Sequence, residues 1–322
     1  MSIIDPERYR EPPTMTLSQV AERSGLEAAL IDRFWRALGF PPIPPDAVEF
    51  NVDDLESLKT LKAVKDQGVP LEDLLAMARV YGASMARIAD AETRMFHARF
   101  VDPRQGEDAA ELADRLEPAV RSLVDLSGQL LDHLHRRHLV KALQAFELTR
   151  PSEGAMEQMA VAFVDLADFT RLSGDLVDRE LEGLLEAFES IVVQACTEAG
   201  SRFVKMIGDA AMFVSPDGEK VLAAACAIMT AISEHEGFPQ ARVGIDCGNV
   251  LPLGGDYYGP AVNTAARITG FARPSTIVAS KSFLEVLADD DVSISKLGAH
   301  RLKGVGKVAM FKIRLVEREP AD

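Results

Sequence analysis

The chain has 322 residues, of which 47% are hydrophobic and 26% charged, a composition typical of a soluble globular protein large enough for two domains. It carries 50 acidic and 35 basic residues, and its net charge of -15 repels nucleic-acid phosphates and anionic membranes. Residues 1–13 lack the apolar core of a signal peptide, and no stretch is apolar enough to span a bilayer. We therefore expect a cytoplasmic protein that binds no nucleic acid and has no membrane-spanning segment.

Residues 1–148 are predicted to form an all-α domain. Apolar residues at helical spacing predict short helices at 16–26 and 27–38, and this pair resembles a MerR-like helix-turn-helix. The charges of the second helix nearly cancel, which disfavours DNA binding because a DNA-reading helix needs cations. Longer helices are predicted at 53–65, 71–96 and 109–147. Together they predict a helical bundle that regulates or dimerises a neighbouring domain.

A linker is predicted at residues 149–156, where proline, serine and glycine interrupt the helical pattern, and a second domain at 157–318. In this domain, strands and helices alternate in the order βαββαβ. Strands are predicted at 160–164, 201–207, 210–215 and 241–247, and helices at 178–199 and 219–236. This order describes an α+β, ferredoxin-like fold. A helix at 261–271 and strands at 276–279, 298–303 and 308–315 follow.

Three isolated cysteines, Cys196, Cys226 and Cys247, lie in the second domain. Zinc sites and redox motifs need closely spaced cysteines, so we predict three buried free thiols.

Two aspartates lie at strand ends. Asp165 follows the first predicted strand, and Asp209 lies in the hairpin turn between the second and third. In a ferredoxin-like sheet the first strand and this hairpin are adjacent, so the two carboxylates can converge. Paired carboxylates suit Mg²⁺ or Mn²⁺. An aspartate after a glycine is also ordinary turn chemistry, so spacing alone leaves both interpretations open.

Four further residues are candidate phosphate or substrate contacts. Phe169 and Thr170 precede a short helical segment whose free N–H groups suit a phosphate, although Thr170 equally suits a helix cap. Lys205 lies in an apolar strand pattern and must reach either a partner or solvent. Lys303 lies close to glycines, where it suits either a polyphosphate or a solvated turn.

Asn263 and Arg267 are four residues apart on a predicted helix, so they share one face. An amide beside a guanidinium suits a polarised phosphoryl oxygen. The same pair also suits an exposed polar stripe.

Three motifs occur in one order: FVDLADFT at 163–170, KMIGDAAM at 205–212 and GDYYGPAVNTAAR at 255–267. Together they resemble the catalytic domain of class III nucleotidyl cyclases. The resemblance covers roughly residues 157–315, and the motif order makes it specific.

The resemblance implies a role for each matching residue. It implies that Asp165 and Asp209 bind two Mg²⁺ or Mn²⁺ ions and that Lys205 and Asp256 select adenine. A lysine donates to adenine N1 and an aspartate accepts from the 6-amino group, whereas guanine reverses these edges. ATP is therefore the implied substrate.

The remaining implied roles concern the reacting atoms. Asn263 is expected to orient the ribose, Arg267 to stabilise the transition state and Lys303 to bind the triphosphate. Asp168 stands where the family usually has glycine, close to the expected phosphate loop. The segment around Asp256 is shorter than in the commonest form, which resembles the bacterial subclass with a reduced dimerisation arm.

In this family the active site lies between two catalytic domains, so the resemblance implies a homodimer. One subunit supplies the metal aspartates, and its partner supplies the adenine pair with Asn263 and Arg267. The implied reaction is attack of the ribose 3′ oxygen on the α-phosphorus, which gives 3′,5′-cyclic AMP and pyrophosphate. The expected function is an adenylate cyclase regulated by its helical domain. The alternatives are a catalytically weak nucleotide-binding sensor and a DNA-binding regulator, in which the catalytic set would be free to degenerate.

Three histidines, His133, His135 and His138, lie on the predicted helix that leads to the linker. They form either a solvated basic face or a pH-biased regulatory switch, because histidine titrates near neutral pH.

Overall fold

The chain divides into two compact units, Met1–Arg150 and Pro151–Asp322. A computed structural model describes residues 10–44, 46–100, 109–149, 156–175, 177–235, 237–287 and 292–315. The predicted linker at 149–156 lies mostly outside these residues. Within them, no helix is long and apolar enough to cross a membrane.

The first unit is mainly helical, as predicted. Its described elements are β1 (Met15–Thr16), α1 (Leu17–Ser24), α2 (Ala28–Ala37), β2 (Val48–Phe50), α3 (Val52–Asp66), α4 (Leu71–Phe100) and α5 (Ala109–Thr149). Strands β1 and β2 pair in antiparallel fashion. The sequence does not predict this pair, because strands of two and three residues are too short to show a period.

Helices α1 and α2 form the predicted pair of short helices. The Thr16 hydroxyl accepts a hydrogen bond from the Gln19 backbone, and the Gln19 side chain accepts one from the Thr16 backbone. Helix α1 ends at Gly25, whose φ of 71° suits glycine. Val20 and Ile31 are fully buried between the helices and the rest of the unit. The likeness of this pair to a MerR-like motif stays a prediction.

Helices α4 and α5 run side by side in opposite directions. The Ser127 hydroxyl donates to the Glu92 carboxylate at 2.5 Å. Further from the connection between the helices, the rings of Tyr81 and His135 lie 6.3 Å apart, centroid to centroid. The histidine-bearing part of α5 therefore lies alongside the first half of α4.

The second unit contains both strands and helices. Its described elements are β3 (Glu157–Leu166), α6 (Phe169–Asp175), α7 (Asp178–Ala199), β4 (Arg202–Ile207), β5 (Ala210–Ser215), α8 (Gly218–Glu234), β6 (Ala241–Leu253), β7 (Asp256–Tyr258), α9 (Pro260–Phe271), β8 (Thr276–Ser280), α10 (Lys281–Leu284), β9 (Val292–Leu302) and β10 (Gly306–Leu315).

The sheet of this unit has the strand order β4-β5-β3-β6-β8-β10-β9. Neighbours among β4, β5, β3 and β6 are antiparallel, whereas β6 and β8 are parallel. The structure confirms the predicted βαββαβ order. Strand β6 is long, and its far end pairs with β7 to form a short two-stranded arm.

The two faces of the sheet carry different helices. Helices α7 and α8 pack on one face around the buried side chains of Phe188 and Ile228. Helix α9 packs on the other face against Val161 and Phe163 of β3. Side chains alternate along a strand, so Asp165 continues the row that faces α9.

Helix α9 lies directly on β6 because Gly244 has no side chain. A Cβ atom at this position would lie 2.2 Å from the Thr269 backbone nitrogen and 2.7 Å from the Ala265 carbonyl oxygen. The Thr269 hydroxyl also lies 3.3 Å from the Phe163 carbonyl oxygen on β3. These contacts fix where α9 sits on the sheet.

Candidate active site

A cleft of about 280 Å³ opens on the α9 side of the sheet. Its lining combines one carboxylate with apolar and small side chains: Phe163, Asp165, Ile207, Ala210, Ala266, Thr269 and Gly270. Gly270 has open space where a side chain would lie, so the helix leaves room at this point. The cleft places a predicted metal ligand beside the helix that carries Asn263 and Arg267.

Asp165 is held by a cation that the sequence did not single out. Nε and Nη2 of Arg242 lie 2.6 and 2.5 Å from the Asp165 Oδ2 atom. Burial raises the pKa of the Asp165 carboxyl; the Arg242 guanidinium opposes this rise and the nearby Asp209 carboxylate adds to it. The Leu166 amide donates to the Asp209 carbonyl oxygen at 3.2 Å. The structure therefore brings Asp165, Asp209 and Arg242 to one end of the sheet.

The chemistry of this donor set suits a hard cation. Asp165 and Asp209 offer carboxylate oxygens, which Mg²⁺ and Mn²⁺ prefer. Two carboxylates leave the remaining coordination positions to water and substrate phosphates. Among the described residues, no group of three or more His, Cys, Asp or Glu side chains is placed to hold an ion.

Asp168 adopts a left-handed backbone conformation, which explains why the family usually has glycine at this position. Its φ is 59°, in the left-handed region that glycine enters freely and that aspartate tolerates better than most residues. Its carbonyl oxygen accepts from the Arg171 and Leu172 amides at 3.1 Å. Those two amides are thus engaged at the start of α6. The Leu166 and Ala167 amides also donate to backbone carbonyl oxygens, so the amides of residues 168–170 are the candidates for a ligand.

The predicted contacts Phe169 and Thr170 are the first two residues of α6. The half-buried Phe169 side chain packs against the core between the sheet and α7 and α8, and its role in binding substrate stays a prediction. The side chain of Thr170 lies outside the described residues.

Lys205 and Asp256 form an ion pair between β4 and the arm. The Asp256 carboxylate also accepts the Tyr257 amide at 2.8 Å. Partial burial raises the pKa of Asp256, but hydrogen bonds from Lys205 and Tyr257 outweigh burial and hold it below its ordinary value. The Arg202 guanidinium donates to the Tyr257 hydroxyl at 3.2 Å and holds the arm against β4. The structure thus joins the two predicted adenine-selecting residues.

Asn263 and Arg267 lie on the outward side of α9, and both side chains are exposed. The helix begins after Gly259, whose φ of 142° and close approach to the Asn249 carbonyl oxygen leave no room for a side chain. Pro260 occupies the first turn, where its fixed φ suits a helix start. Gly259 and Pro260 therefore set where α9 begins, and the outer face of the helix is exposed to a ligand.

Lys303 is exposed in the turn between β9 and β10. The neighbouring Leu302 packs against Ile268 and Ala272 near the end of α9. Arg301 and Lys307 lie opposite each other on the two strands of this hairpin. The hairpin therefore presents a cationic turn close to the end of α9.

The three candidate regulatory histidines, His133, His135 and His138, are exposed on α5. Beside them the Arg136 guanidinium binds the Asp132 carboxylate at 3.0 Å. His135 also faces Tyr81 of α4. These residues belong to the first unit.

The three cysteines are free and buried, as predicted. Burial raises the pKa of Cys196 and of Cys226 to about 11. These thiols belong to the core beneath α7 and α8 and not to the cleft.

Two family descriptions together match most of the chain. Residues 11–143 match the adenylate cyclase regulatory domain, and residues 152–314 match the adenylate and guanylate cyclase catalytic domain. The second match covers about half of the chain.

Three bacterial relatives show similarity over both units. An uncharacterized protein of Mycobacterium tuberculosis H37Rv is 34% identical over 86% of this chain and 74% of its own. An adenylate cyclase of Streptomyces coelicolor is 30% identical over 84% of this chain and 70% of its own. A pH-sensitive adenylate cyclase of M. tuberculosis CDC 1551 is 29% identical over 92% of this chain and 77% of its own. With its catalytic domain preceded by the matching regulatory domain, the chain belongs to the class III adenylate cyclases.

Proposed function

We propose that the chain converts ATP into 3′,5′-cyclic AMP and pyrophosphate at a site shared by two copies. The ion pair between Lys205 and Asp256 carries this proposal. Its ammonium group can donate to adenine N1, and its carboxylate can accept from the 6-amino group. Guanine presents the opposite donor and acceptor on that edge, so the same pair disfavours GTP.

Asp165 and Asp209 would hold the metal. A bound Mg²⁺ or Mn²⁺ pair supplies charge neutralisation on the triphosphate and a lowered pKa for the ribose 3′-hydroxyl. Asp165 would bind this cation in place of the Arg242 guanidinium. The Arg242 guanidinium stays at the same strand end, where its planar set of N–H donors can bind a phosphate oxygen.

The outer face of α9 would meet the reacting atoms. Asn263 offers an amide to the ribose, and Arg267 offsets the charge that develops on the α-phosphate. Lys303 contacts the triphosphate from the hairpin turn. These side chains are exposed, which suits groups that receive a ligand from outside their own subunit.

Exposed apolar side chains on β4 and on the arm, which the Lys205–Asp256 ion pair joins, support a dimer. Ile207 on β4 is 47% exposed, and Leu253 and Tyr258 on the arm are 58% and 51% exposed. Apolar groups clustered on one surface favour association. A twofold symmetric contact through these elements creates two equivalent sites.

We also propose that the first unit regulates this activity through His133, His135 and His138. The support is their concentration on one helix together with the name of the pH-sensitive relative. The proposed reaction involves no nucleic acid, which agrees with the negative net charge of the chain.

Purified full-length protein incubated with Mn²⁺ and either ATP or GTP tests the proposal. We expect cyclic AMP, separated by chromatography, and at most about a tenth as much cyclic GMP, since a reversed base edge leaves polar groups unpaired. The variant Lys205→Glu should lose ATP turnover while the melting temperature is kept. Equal turnover of GTP, or turnover of neither nucleotide, would overturn the proposal.

A further inference from the structure

One carboxylate, Asp246, lies on the face of β6 that supports α9. Side chains alternate along the strand, so Gly244, Asp246 and Gly248 form the row beneath the helix. An added Cβ atom at Gly244 would collide with the Thr269 backbone nitrogen at 2.2 Å, and one at Gly248 would touch the Ala261 side chain at 3.4 Å. The helix thus rests on two glycines with an acid between them, and Asp246 is only 6% exposed.

The hydrogen bonds of Asp246 join several elements. The Ser280 hydroxyl, at the end of β8 and the start of α10, donates to the Asp246 carboxylate. The Thr264 hydroxyl of α9, the Ser282 hydroxyl of α10 and the Cys247 amide lie close enough to the carboxyl to lower its pKa. Ser280 in turn accepts the Phe283 amide at 3.2 Å, so the start of α10 is fixed to the same point.

Burying a carboxylate between a helix and a sheet carries a desolvation cost. Every bonding partner of Asp246 is a neutral hydroxyl or amide. Burial raises the pKa of the carboxyl, and these hydrogen bonds offset the rise only in part. A serine or an alanine at this position would avoid that desolvation cost. The presence of an acid here therefore indicates that its hydrogen bonds hold α9 in a defined position on β6.

Thr264 connects Asp246 to the part of α9 that carries the candidate site residues. It follows Asn263 directly, and Arg267 lies about one turn further along α9. The Thr264 hydroxyl also lies 2.8 Å from the Pro260 carbonyl oxygen of its own helix. Because a hydroxyl has a single hydrogen, the carboxylate competes with the helix for this donor. Thr264 thus connects the Asp246 carboxyl to the first turn of α9.

We infer that Asp246 is a positioning residue that acts through Thr264 to hold α9 at the rotation and depth that present Arg267 to the substrate. This inference rests on the role proposed above for Arg267.

The test compares Asp246→Asn with the wild type in the full chain. A misplaced Arg267 loses an interaction made mainly in the transition state, so kcat should fall about tenfold while KM for ATP changes less than about twofold. The control is Ser215→Ala, which removes another buried hydroxyl, on β5, that bonds the Asp217 amide and not α9. This control should keep kcat. An unchanged kcat in Asp246→Asn would refute the inference.

A double-mutant cycle separates this inference from the proposed function. If Asp246 acts through Arg267, then adding Asp246→Asn to Arg267→Ala should lower the residual activity by less than about twofold. Full additivity, with Arg267→Ala severely impaired, overturns the inference and leaves the proposed function intact. Near wild-type activity of Arg267→Ala overturns the proposed role of Arg267 instead.

Thr264 provides a milder pair of variants in case Asp246→Asn does not fold. Thr264→Val removes the hydroxyl at nearly constant volume, whereas Thr264→Ser keeps it. We expect the valine variant to reproduce the fall in kcat and the serine variant to stay within about twofold of the wild type. Equal kcat in both variants, at matched melting temperatures, contradicts a link through this hydroxyl.

Discussion

Asp165 and Arg242 occupy paired positions on the adjacent antiparallel strands β3 and β6. Two nitrogen atoms of the guanidinium, at 2.6 and 2.5 Å, bind one carboxylate oxygen at the edge of the cleft. Half-buried acids of this kind need a counter-charge. In the proposed site Arg242 therefore competes with the metal ion for Asp165, and we expect the strength of this ion pair to affect the concentration of metal that half-saturates the enzyme.

Removing the Arg242 guanidinium should separate metal binding from turnover. In Arg242→Gln, half-saturating Mn²⁺ should fall about threefold or more, because Asp165 loses its competitor. The maximal rate should fall about tenfold, because a cation that faces the phosphates is lost. Cyclic AMP formation measured against MnCl₂ gives both values. Arg242→Lys retains a cation and should lose less rate, and an unchanged metal requirement in the glutamine variant would contradict the competition.

The paired aspartates should both be essential. Asp165→Ala or Asp209→Ala removes a proposed metal ligand, and metal-centred effects amount to several kcal/mol, so cyclic AMP formation should nearly vanish. Asp168→Gly is the matched control, because it removes a neighbouring carboxylate and accepts a φ of 59° without strain. It should stay active. An Asp209→Ala variant that keeps more than about a tenth of the activity at saturating Mn²⁺ would show that the metal is held elsewhere.

A site shared between copies predicts complementation. Asp165→Ala and Arg267→Ala damage opposite sides of the proposed site, so a heterodimer of the two has one intact site and one doubly damaged site. Mixing the two inactive proteins should partly restore cyclic AMP formation. A mixture of Asp165→Ala with Asp209→Ala, which damage the same side, should not recover. Absence of recovery in the first mixture after verified subunit exchange argues for a site within one chain.

Long periodic elements could be predicted from the sequence, whereas short ones could not. Helix α7 has the predicted bounds of 178–199, because its apolar positions repeat over six turns. Strand β6 extends beyond its predicted end at residue 247 to Leu253, because its last residues pair with β7 in the arm instead of joining the core. A three-residue strand such as β7 has no period of its own.

The site residues that belong to local sequence motifs could be predicted from the sequence. The residues that join the site only through the pairing of distant strands could not. The three motifs indicate Asp165, Asp209 and Asp256 without any structure. Arg242 and Asp246 stand in an ordinary strand pattern, and nothing local distinguishes them. Arg242 becomes a partner of Asp165 only through the pairing of β3 with β6, and Asp246 becomes buried only where α9 crosses β6. Both relationships join residues that are distant in sequence.

The buried thiols predict low reactivity and a loss of stability in alkali. With pKa values of about 11, Cys196 and Cys226 stay protonated at pH 8, so a disulfide reagent should modify them only after denaturation. In the unfolded chain the thiols ionise near their ordinary pKa of 9.0, so this contribution to stability is present below pH 9 and is lost as pH rises towards 11. Cys196→Ala should flatten this decline. Rapid modification of the native protein at pH 8 would contradict the burial.

The final prediction concerns pH. Protonating His133, His135 and His138 adds positive charge beside Arg137 on α5, where Arg136 is already paired with Asp132 and where Tyr81 of α4 faces His135. Like charges on one helix repel or seek new acidic partners, which changes how the first unit packs. We expect the activity of the full chain to rise as pH falls from about 7.5 to about 5.5, because protonation disrupts an inhibitory packing.

Replacing all three histidines by alanine should flatten this profile, measured as cyclic AMP formation at saturating ATP and Mn²⁺. His97→Ala, at an exposed histidine of α4 outside the cluster, is the control and should keep the wild-type profile. A flattened profile in the triple variant alone assigns the pH response to the cluster, since the titrating groups of the cleft are the same in all three proteins. A profile that survives the triple substitution places the response in the catalytic unit, where binding of metal and triphosphate also depends on pH.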